Sequence, residues 1–365
     1  MVRAPTGIGV HTLEIAERLA RRGDLELVGL AHRRPAAAER LESAGVRIEV
    51  QPAPLGVVWQ QLALPRRLAA GDLDLLWSPL QTLPRRLPVP AIVTLHDLAA
   101  LLWPETLSWK IRWSQVPFLA HSLERAARVV AVSHATARDL AAAFPAAAAR
   151  TVVIWNGVGP AWRPGDADAV AATRERLGAP GGYFLSVGTL EPRKNLDLLL
   201  DAWEILRTEE PELELPLLLG GPEGWKHAEL KARIAALAPA GVRHLGRLAD
   251  AELRAVVQAA TAFVYPSLYE GFGLPVAEAM ACGVPVVVTA SSSLPEVAGD
   301  AGLVVEPERP DELAHALLRL VREPGLAAEL GGRGHERARR FSWDEAAERF
   351  AGLIHEVLDG RGERA

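Results

Sequence analysis

The chain has 365 residues, of which 49% are hydrophobic and 23% charged, and its formal net charge is −5 at pH 7. This length predicts two domains or one large α/β unit, and the hydrophobic fraction excludes a disordered chain. The negative charge argues against nucleic-acid binding, which needs clustered Lys and Arg. The single cysteine, Cys282, excludes an intramolecular disulfide and indicates a reducing, cytoplasmic compartment.

The first residues contain a glycine turn, TGIG at 6–9, which leads directly into a helical pattern from Val10 to Arg22. In a doubly wound domain, such a turn normally follows the first strand. We therefore expect the N-terminal domain to lack its first strand. We also expect no transmembrane helix, because no apolar run approaches the ~20 residues that a span requires.

Short apolar runs alternate with helical patterns in the first half of the chain, which is typical of parallel strands covered on both faces. Strands are predicted at 25–30, 46–50, 73–77, 91–95, 128–132 and 151–155. Further helices are predicted near 35–44, 59–70, 113–127 and 135–143.

The alternation begins again after a segment rich in Gly, Pro and Asp at 156–169. Strands are predicted at 183–187, 216–220, 242–246, 262–266, 285–289 and 302–306. Helices are predicted near 195–209, 226–238, 250–260, 275–282, 310–323 and 343–358. The fold class is therefore α/β with two doubly wound parallel-sheet domains, and we expect a ligand site in the cleft between them, beyond the carboxyl ends of the strands.

The segment EGFGLPVAEAM at 270–280 joins a predicted strand to a predicted helix. Gly271 and Gly273 let the backbone approach a ligand, and the helix N-terminus offers N–H groups to a phosphate. Glu270 and Glu278 would repel a phosphate but can accept paired sugar hydroxyls. The pattern favours a nucleotide sugar. The alternative is that Glu270 is a loop carboxylate and Glu278 a first-turn residue favoured by the helix dipole.

The loop GTLEPRKN at 188–195 supplies positive charge in the same half of the chain. Arg193 can bind phosphate oxygens through its planar fork and Lys194 as a compact charge. Asn195 is predicted to cap the following helix. The alternative for each basic residue is a solvated surface charge.

Two strands of the first half end on His-containing pairs, His96-Asp97 and Ser133-His134. His96 could contact a sugar hydroxyl or a developing charge. The alternative is a turn in which Asp97 caps the next segment. Ser133 or Thr136 is predicted to cap the helix that follows.

Taken together, the motifs resemble those of the retaining glycosyltransferases of family 4, which have the GT-B fold, over about residues 5–360. The segments that carry the resemblance are PTGIG at 5–9, HD at 96–97, VSHAT at 132–136, NGV at 156–158, GTLEPRKN at 188–195, GR at 246–247 and EGFGLPVAEAMACGVPVV at 270–287. The resemblance implies an acceptor-binding domain at 1–160, a nucleotide-sugar-binding domain at 161–342 and a C-terminal helix at 343–365 that crosses back to the first domain.

The resemblance also implies roles for single residues. Arg193 and Lys194 would hold the donor diphosphate. Glu270 would bind the transferred sugar and Glu278 the ribose. His96 would lie against the donor sugar near the reacting carbon, so that His96, Glu270, Arg193 and Lys194 form the catalytic set. The other donor-binding positions are Gly7, Gly9, Gly188, Arg247, Leu248, Gly271, Phe272, Gly273 and Leu274. His11 stands where relatives often carry an aromatic residue.

The implied reaction retains the anomeric configuration, and the leaving diphosphate accepts the acceptor's proton. It requires no cofactor, metal or protein nucleophile, and the Asp-x-Asp matches at 72–74 and 166–168 are interpreted as structural. The similarity of 291–302 to bacterial mannosyltransferase-like members favours GDP-mannose over a UDP-hexose donor. The expected acceptor is a glycan or a polyprenyl-linked saccharide in polysaccharide biosynthesis.

Aromatic and basic residues at 101–120 could seat such an acceptor or contact the inner face of the membrane. They are Trp103, Trp109, Lys110, Arg112 and Trp113, with Arg66-Arg67 and Arg85-Arg86 as further contacts. The alternative is ordinary aromatic packing with a solvated basic edge. Two other functions stay open: a GT-B sugar-nucleotide epimerase and a catalytically silent nucleotide-sugar-binding protein.

Overall fold

A computed structural model describes residues 7–106, 109–224 and 228–362. The contacts divide the chain into two compact units, Met1–Gly157 with Ser342–Ala365, and Val158–Phe341. In the described part of both units, every strand pair runs parallel. None of the described helices is both long and apolar enough to span a bilayer.

The first unit contains six strands and nine α-helices within the described residues. The strands are β1 Val28–Ala31, β2 Arg47–Val50, β3 Leu76–Ser78, β4 Ala91–Leu95, β5 Arg128–Ala131 and β6 Thr151–Val153. The helices are α1 Gly7–Arg21, α2 Ala38–Ser43, α3 Gly56–Val58, α4 Leu64–Leu68, α5 Ala99–Leu102, α6 Trp109–Arg125, α7 His134–Ala143, α8 Pro145–Ala148 and, at the end of the chain, a helix Trp343–Gly362. A π-helix, Trp59–Ala63, joins α3 to α4, and a 3₁₀-helix spans Pro104–Thr106.

Two sheets support the first unit. Strands β1 and β2 form one pair, and the other sheet has the order β3-β4-β5-β6. Apolar side chains of β4 and β5 pack on α6, with Leu95 and Leu123 fully buried. The helix Trp343–Gly362 packs along α1, where Arg18 Nε donates to Asp344 Oδ1 at 2.5 Å.

The second unit contains six strands and eight α-helices within the described residues. The strands are β7 Phe184–Val187, β8 Leu217–Gly220, β9 Val242–Gly246, β10 Ala262–Tyr265, β11 Val286–Thr289 and β12 Gly302–Val305. The helices are α9 Ala167–Arg176, α10 Leu196–Glu209, α11 Ala228–Ala236, α12 Asp250–Gln258, α13 Leu274–Ala281, α14 Leu294–Ala298, α15 Pro310–Arg322 and α16 Pro324–Ala338, which makes Trp343–Gly362 α17. Short 3₁₀-helices span Pro192–Lys194 and Ala238–Ala240.

The sheet of the second unit has the order β12-β11-β10-β7-β8-β9. The chain moves outward from β7 to β9, returns to the other side of β7 with β10 and moves outward again to β12. The switch point therefore lies between β7 and β10, the place where ligands bind in open parallel sheets. The core beneath it is apolar and includes the fully buried Trp203 and Phe184.

All twelve predicted strands are present, with ends shifted by at most a few residues. Two longer helices were not predicted, α9 and α16. The predicted loop at 156–169 overlaps the first residues of α9. Helix α16 contains Gly331, whose Cβ would lie 2.4 Å from Gly283 O, so glycine is required for close packing although it lowers helix propensity. The expectation about a first strand concerns residues outside the described ranges.

Candidate functional site

Two loops flank the switch point of the second unit. One follows β7 and contains the 3₁₀-helix Pro192–Lys194, and the other follows β10 and leads to α13. They are joined by backbone bonding, since Leu268 N donates to Arg193 O at 2.9 Å. The sheet order therefore brings the neighbours Arg193 and Lys194 to Glu270, which lies 76 residues after Lys194 in the chain.

Glu270 lies between the two cations. Its Oε1 accepts a hydrogen bond from Lys194 Nζ at 2.6 Å, and its Oε2 is 3.0 Å from Arg193 Nη1. The Glu270 residue is only 9% exposed. The two basic side chains are therefore neither solvated surface charges nor free cations, because each already contacts the carboxylate expected to bind the sugar.

Arg193 has two further acceptors in the same cluster. Nη2 donates to Glu191 Oε1 at 2.8 Å, and Nη1 donates to Tyr269 O at 2.6 Å. These contacts fix the plane of the guanidinium group. Sequence reasoning missed Glu191, although it lies inside the motif that identified Arg193.

The charges of the cluster shift one another's protonation equilibria. Burial alone would raise the pKa of Glu270, but Arg193 and Lys194 outweigh it and lower that pKa to about 2. Burial would lower the pKa of Lys194, but the carboxylate of Glu270 outweighs it and the pKa is raised. Burial raises the pKa of Glu191, opposed by the two cations. Near neutral pH, Glu270 is therefore a carboxylate and Lys194 an ammonium.

The backbone after Glu270 is held by serines that precede α14. Glu270 N donates to Ser292 Oγ at 2.8 Å, and Ser293 Oγ donates to the carbonyl oxygens of Glu270 and Phe272, each at 2.9 Å. Gly273 has φ +97° and precedes Leu274, the first residue of α13. A Cβ at Gly273 would lie 2.9 Å from Leu294 Cδ2, so this loop needs glycine for both conformation and space.

One helix prediction in this region was wrong, and one alternative interpretation does not agree with the structure. Asn195 occupies the N-cap position of α10 with φ +50°, but its side chain makes no capping bond; instead Nδ2 donates to Pro307 O at 3.1 Å. Glu278 is the fifth residue of α13, beyond the first turn in which the dipole favours carboxylates.

Glu278 is half-buried on α13, apart from the ion cluster just described. Burial and the charge of Asp250 raise its pKa to about 8, while Arg254 opposes them. The ligand-free protein thus carries Glu278 mostly as the neutral acid at pH 7.

The remaining predicted donor-binding residues of this unit lie in the loops that follow β7, β9 and β10. Gly188 follows β7 and lies against the stem of Lys194. Arg247 follows β9 and is exposed, and Leu248 packs beside Gly220. Gly271 is buried next to Glu270.

In the first unit, His96 follows β4 and is buried. Its Nε2 donates to Pro79 O at 3.0 Å, and burial lowers its pKa to about 4. Asp97 also caps the next segment, as the alternative interpretation has it, since Asp97 Oδ1 accepts a hydrogen bond from Ala99 N at 2.9 Å. Gly7 and Gly9 open α1, Gly7 exposed and Gly9 half-buried.

His11, whose role the sequence left open, contacts His96. The ring centroids are 4.9 Å apart, and His11 Nδ1 donates to Asn156 Oδ1 at 2.8 Å. Burial and the charge of His96 lower the pKa of His11 to about 3. Asn156 lies in the NGV segment, the only signal in the sequence for this contact.

Ser133 caps α7 as predicted, accepting from Thr136 N at 3.0 Å. The aspartates of the two Asp-x-Asp matches also have structural partners. Asp72 pairs with Arg67, with Nη1–Oδ1 at 2.6 Å, and Asp166 caps α9.

The side chains of the first unit that were proposed to face a membrane differ in their exposure and in their partners. Arg67 pairs with Glu49 at 2.7 Å as well as with Asp72. Arg66, Arg85 and Arg86 are exposed. Trp103 is half-buried, whereas the side chains of Trp109, Lys110, Arg112 and Trp113 lie outside the described part of the chain.

Two family models match the sequence: Glycosyltransferase Family 4 over residues 5–162 and Glycosyl transferases group 1 over residues 181–323. The O-antigen chain mannosyltransferase B of Escherichia coli is 33% identical over 93% of this chain and 93% of its own length. A D-inositol 3-phosphate glycosyltransferase of Acidothermus cellulolyticus is 30% identical over 97% of this chain and 86% of its own. The structure of Anabaena HepE in complex with UDP and glucose aligns with a TM-score of 0.76 and 23% identity over 96% of both chains.

Proposed function

The chain belongs to glycosyltransferase family 4 and has the GT-B fold, and from this premise we propose that it is a retaining hexosyltransferase using a nucleotide-sugar donor. The proposed acceptor is a glycan or a lipid-linked saccharide in polysaccharide biosynthesis. The observation that carries the proposal is the position of Glu270 between Lys194 and Arg193 at the switch point of the second sheet.

This cluster suits a ligand that is anionic at one end and rich in hydroxyls at the other. A diphosphate is attracted by Lys194 and Arg193 and by the N-terminus of α13. The carboxylate of Glu270, ionised because its pKa is about 2, accepts hydrogen bonds from sugar hydroxyls. The same residues would repel a ligand of the opposite polarity, such as a polycation.

The proposed reaction breaks the bond between the anomeric carbon and the diphosphate oxygen as the acceptor oxygen bonds to the same face of that carbon. The acceptor's proton passes to the departing diphosphate oxygen. Negative charge grows on the diphosphate during this step, so Arg193 and Lys194 stabilise the transition state more than the ground state.

The proposed donor is GDP-mannose, with a UDP-hexose as the alternative. The Escherichia coli relative is named a mannosyltransferase, whereas the HepE structure contains UDP. Thermal shift with GDP-mannose, UDP-glucose, GDP and UDP will distinguish them, because a ligand that binds only the folded state raises the unfolding temperature. A shift with uridine nucleotides alone would refute the choice of GDP-mannose.

We also propose that the reaction needs no metal or other cofactor, since Lys194 and Arg193 supply the positive charge that a metal would bring. Transfer is then expected at the same rate in EDTA and in magnesium. A loss of activity in EDTA that magnesium restores would contradict this part of the proposal.

Peripheral contact with the inner face of the membrane is the final part of the proposal. Leu55, Leu62 and Leu80 are 54–60% exposed, and Arg66 and Arg85 lie on the same two connected segments. These segments are joined because Arg85 N donates to Gln61 Oε1 at 3.0 Å. Apolar and cationic side chains together favour an anionic bilayer surface.

The vesicle experiment compares phosphatidylglycerol-containing with phosphatidylcholine vesicles. The contact is supported if wild type binds the phosphatidylglycerol-containing vesicles and the double variant Arg66→Gln with Arg85→Gln does not. The matched control is Arg319→Gln with Arg322→Gln, two exposed arginines of α15. If both double variants bind these vesicles equally, the membrane contact is refuted.

The central test measures donor hydrolysis and transfer by wild type, Glu270→Ala and Lys194→Ala, with the anomeric configuration of the product determined by NMR. Both variants are expected to lose at least about 100-fold in kcat, a typical cost for a group that stabilises developing charge. Unchanged turnover would refute the site. An inverted product would refute retention, and isomerised donor without transfer would indicate the epimerase.

A further inference from the structure

The last residue of β10 contacts the ammonium group of Lys194. Tyr265 Oη accepts a hydrogen bond from Lys194 Nζ at 2.6 Å, and Nζ lies 4.8 Å from the centroid of the Tyr265 ring. Tyr265 is only 2% exposed. The two distances place Nζ beyond the hydroxyl end of the ring, so the contact is a buried, charged hydrogen bond.

Lys194 Nζ has three hydrogens to donate. One goes to Tyr265 Oη and one to Glu270 Oε1, both at 2.6 Å. Among the described residues, no third acceptor contacts Nζ. Because two fixed acceptors prevent the ammonium group from rotating freely, the third N–H has one direction available to it. Lys194 also lines a small cavity with Gly188, Gly220 and Ser186, at the carboxyl ends of β7 and β8.

Tyr265 is a more rigid element than the lysine. It belongs to the strand next to the switch point, and its ring stacks on that of Phe263 with centroids 5.9 Å apart and 20° between the planes. A lysine side chain loses rotamer entropy when it is fixed. Because the contact with Tyr265 already holds the Lys194 side chain, part of this entropy is lost before a ligand binds.

We propose that Tyr265 is a positioning residue for Lys194: its hydroxyl holds the ammonium group so that the N–H not used by Tyr265 or Glu270 meets an oxygen of the departing diphosphate. The inference rests on the proposed function. It assigns Tyr265 no contact with the substrate and no proton transfer, so its effect passes through Lys194 alone.

The test compares Tyr265→Phe with Tyr183→Phe. Tyr183 is also fully buried in this unit and directly precedes β7, and its Oη donates to Val256 O at 2.6 Å. Each variant keeps the ring and loses one hydroxyl contact of the same length. Only Tyr265 contacts Lys194, so Tyr183→Phe controls for the loss of a buried phenol hydrogen bond.

Tyr265→Phe is expected to lower kcat for transfer about tenfold with a smaller change in donor KM, because the diphosphate gains charge as its bond breaks. Tyr183→Phe is expected to stay within about twofold of wild type. Equal kcat values in the two variants overturn the inference. A wild type that neither binds GDP or UDP nor transfers a sugar refutes the proposed function instead.

A double-mutant cycle with Lys194→Met separates positioning from a general structural effect. The affinities for GDP and UDP are measured by calorimetry, so that the low activity of Lys194→Met does not limit the experiment. If Tyr265 acts through Lys194, Tyr265→Phe weakens nucleotide binding in the wild-type background and has no further effect in Lys194→Met. The same loss in both backgrounds overturns the inference.

Discussion

The imidazole rings of His11 and His96 meet edge to face, with centroids 4.9 Å apart and 88° between their planes. Each ring is anchored by a separate hydrogen bond, His11 to Asn156 and His96 to Pro79 O. Both rings are buried, and their pKa values are lowered to about 3 and about 4, so both are neutral at physiological pH.

This pair predicts an acid-sensitive first unit. Since both histidines have lower pKa values folded than unfolded, the unfolded chain binds two more protons between about pH 6 and pH 4. The free energy of unfolding then falls by about 2.7 kcal/mol per pH unit as the pH drops through this window, and the histidine contribution is fully present above about pH 6.5. Urea unfolding at several pH values measures it.

His11→Phe keeps a ring in the pair and removes one titrating group. We expect its unfolding free energy to fall about half as steeply between pH 6 and pH 4 as that of wild type. His315→Phe, at an exposed position in the second unit, is the control and should match wild type. Identical slopes for all three proteins would contradict the buried, neutral pair.

Glu270→Gln is predicted to reduce both stability and activity. The variant leaves the cations Lys194 and Arg193 without their carboxylate in a buried site, which costs about 3 kcal/mol of unfolding free energy. The control is Glu252→Gln, where an exposed pair with Arg176 at 3.1 Å is lost and less than about 1 kcal/mol is expected. Chemical denaturation measures the unfolding free energy of both variants. Equal losses of unfolding free energy would argue against a buried cluster.

Nucleotide affinity is predicted to depend on the protonation of Glu278. If the carboxylate binds the ribose hydroxyls, then with a pKa of about 8 the competent fraction rises with pH. Affinity for GDP or UDP should increase about eightfold from pH 7 to pH 8.5, because apparent affinity scales with the competent fraction. Calorimetry on Glu278→Gln, which cannot ionise, should give a flat profile; a rise of the same size there would assign the effect to another group.

Gly221→Ala is predicted to distort the loop that carries Lys194. Gly221 has φ +134°, and a Cβ there would lie 2.0 Å from Gly188 O. A loss of about 2 kcal/mol or more in unfolding free energy and a marked fall in kcat are expected. Gly332→Ala in α16, where a Cβ meets open space, should keep full activity and gain up to about 1 kcal/mol. Thermal unfolding measures the stability of Gly221→Ala and Gly332→Ala, and transfer assays measure their kcat.

The local sequence was sufficient for the elements and for most of the loops. All twelve strands were predicted because each is a short apolar run bounded by turn residues, and Ser133 was predicted as a cap from its position alone. The fold class followed from the alternation of the two patterns. Helix α16 was missed because its glycines oppose helix formation locally, while close packing on Gly283 requires Gly331.

What the sequence determined by itself is the set of chemical groups: a pair of cations after one strand, a carboxylate after another, and glycine turns that admit a ligand. Only the tertiary structure decided how these groups are paired. The sheet order places β7 beside β10, and that neighbourhood, which no local pattern encodes, places Glu270 between Lys194 and Arg193 and brings the Tyr265 hydroxyl to the ammonium group. Pairing across a switch point depends on long-range strand order, so the protonation and orientation of each group were set by the fold.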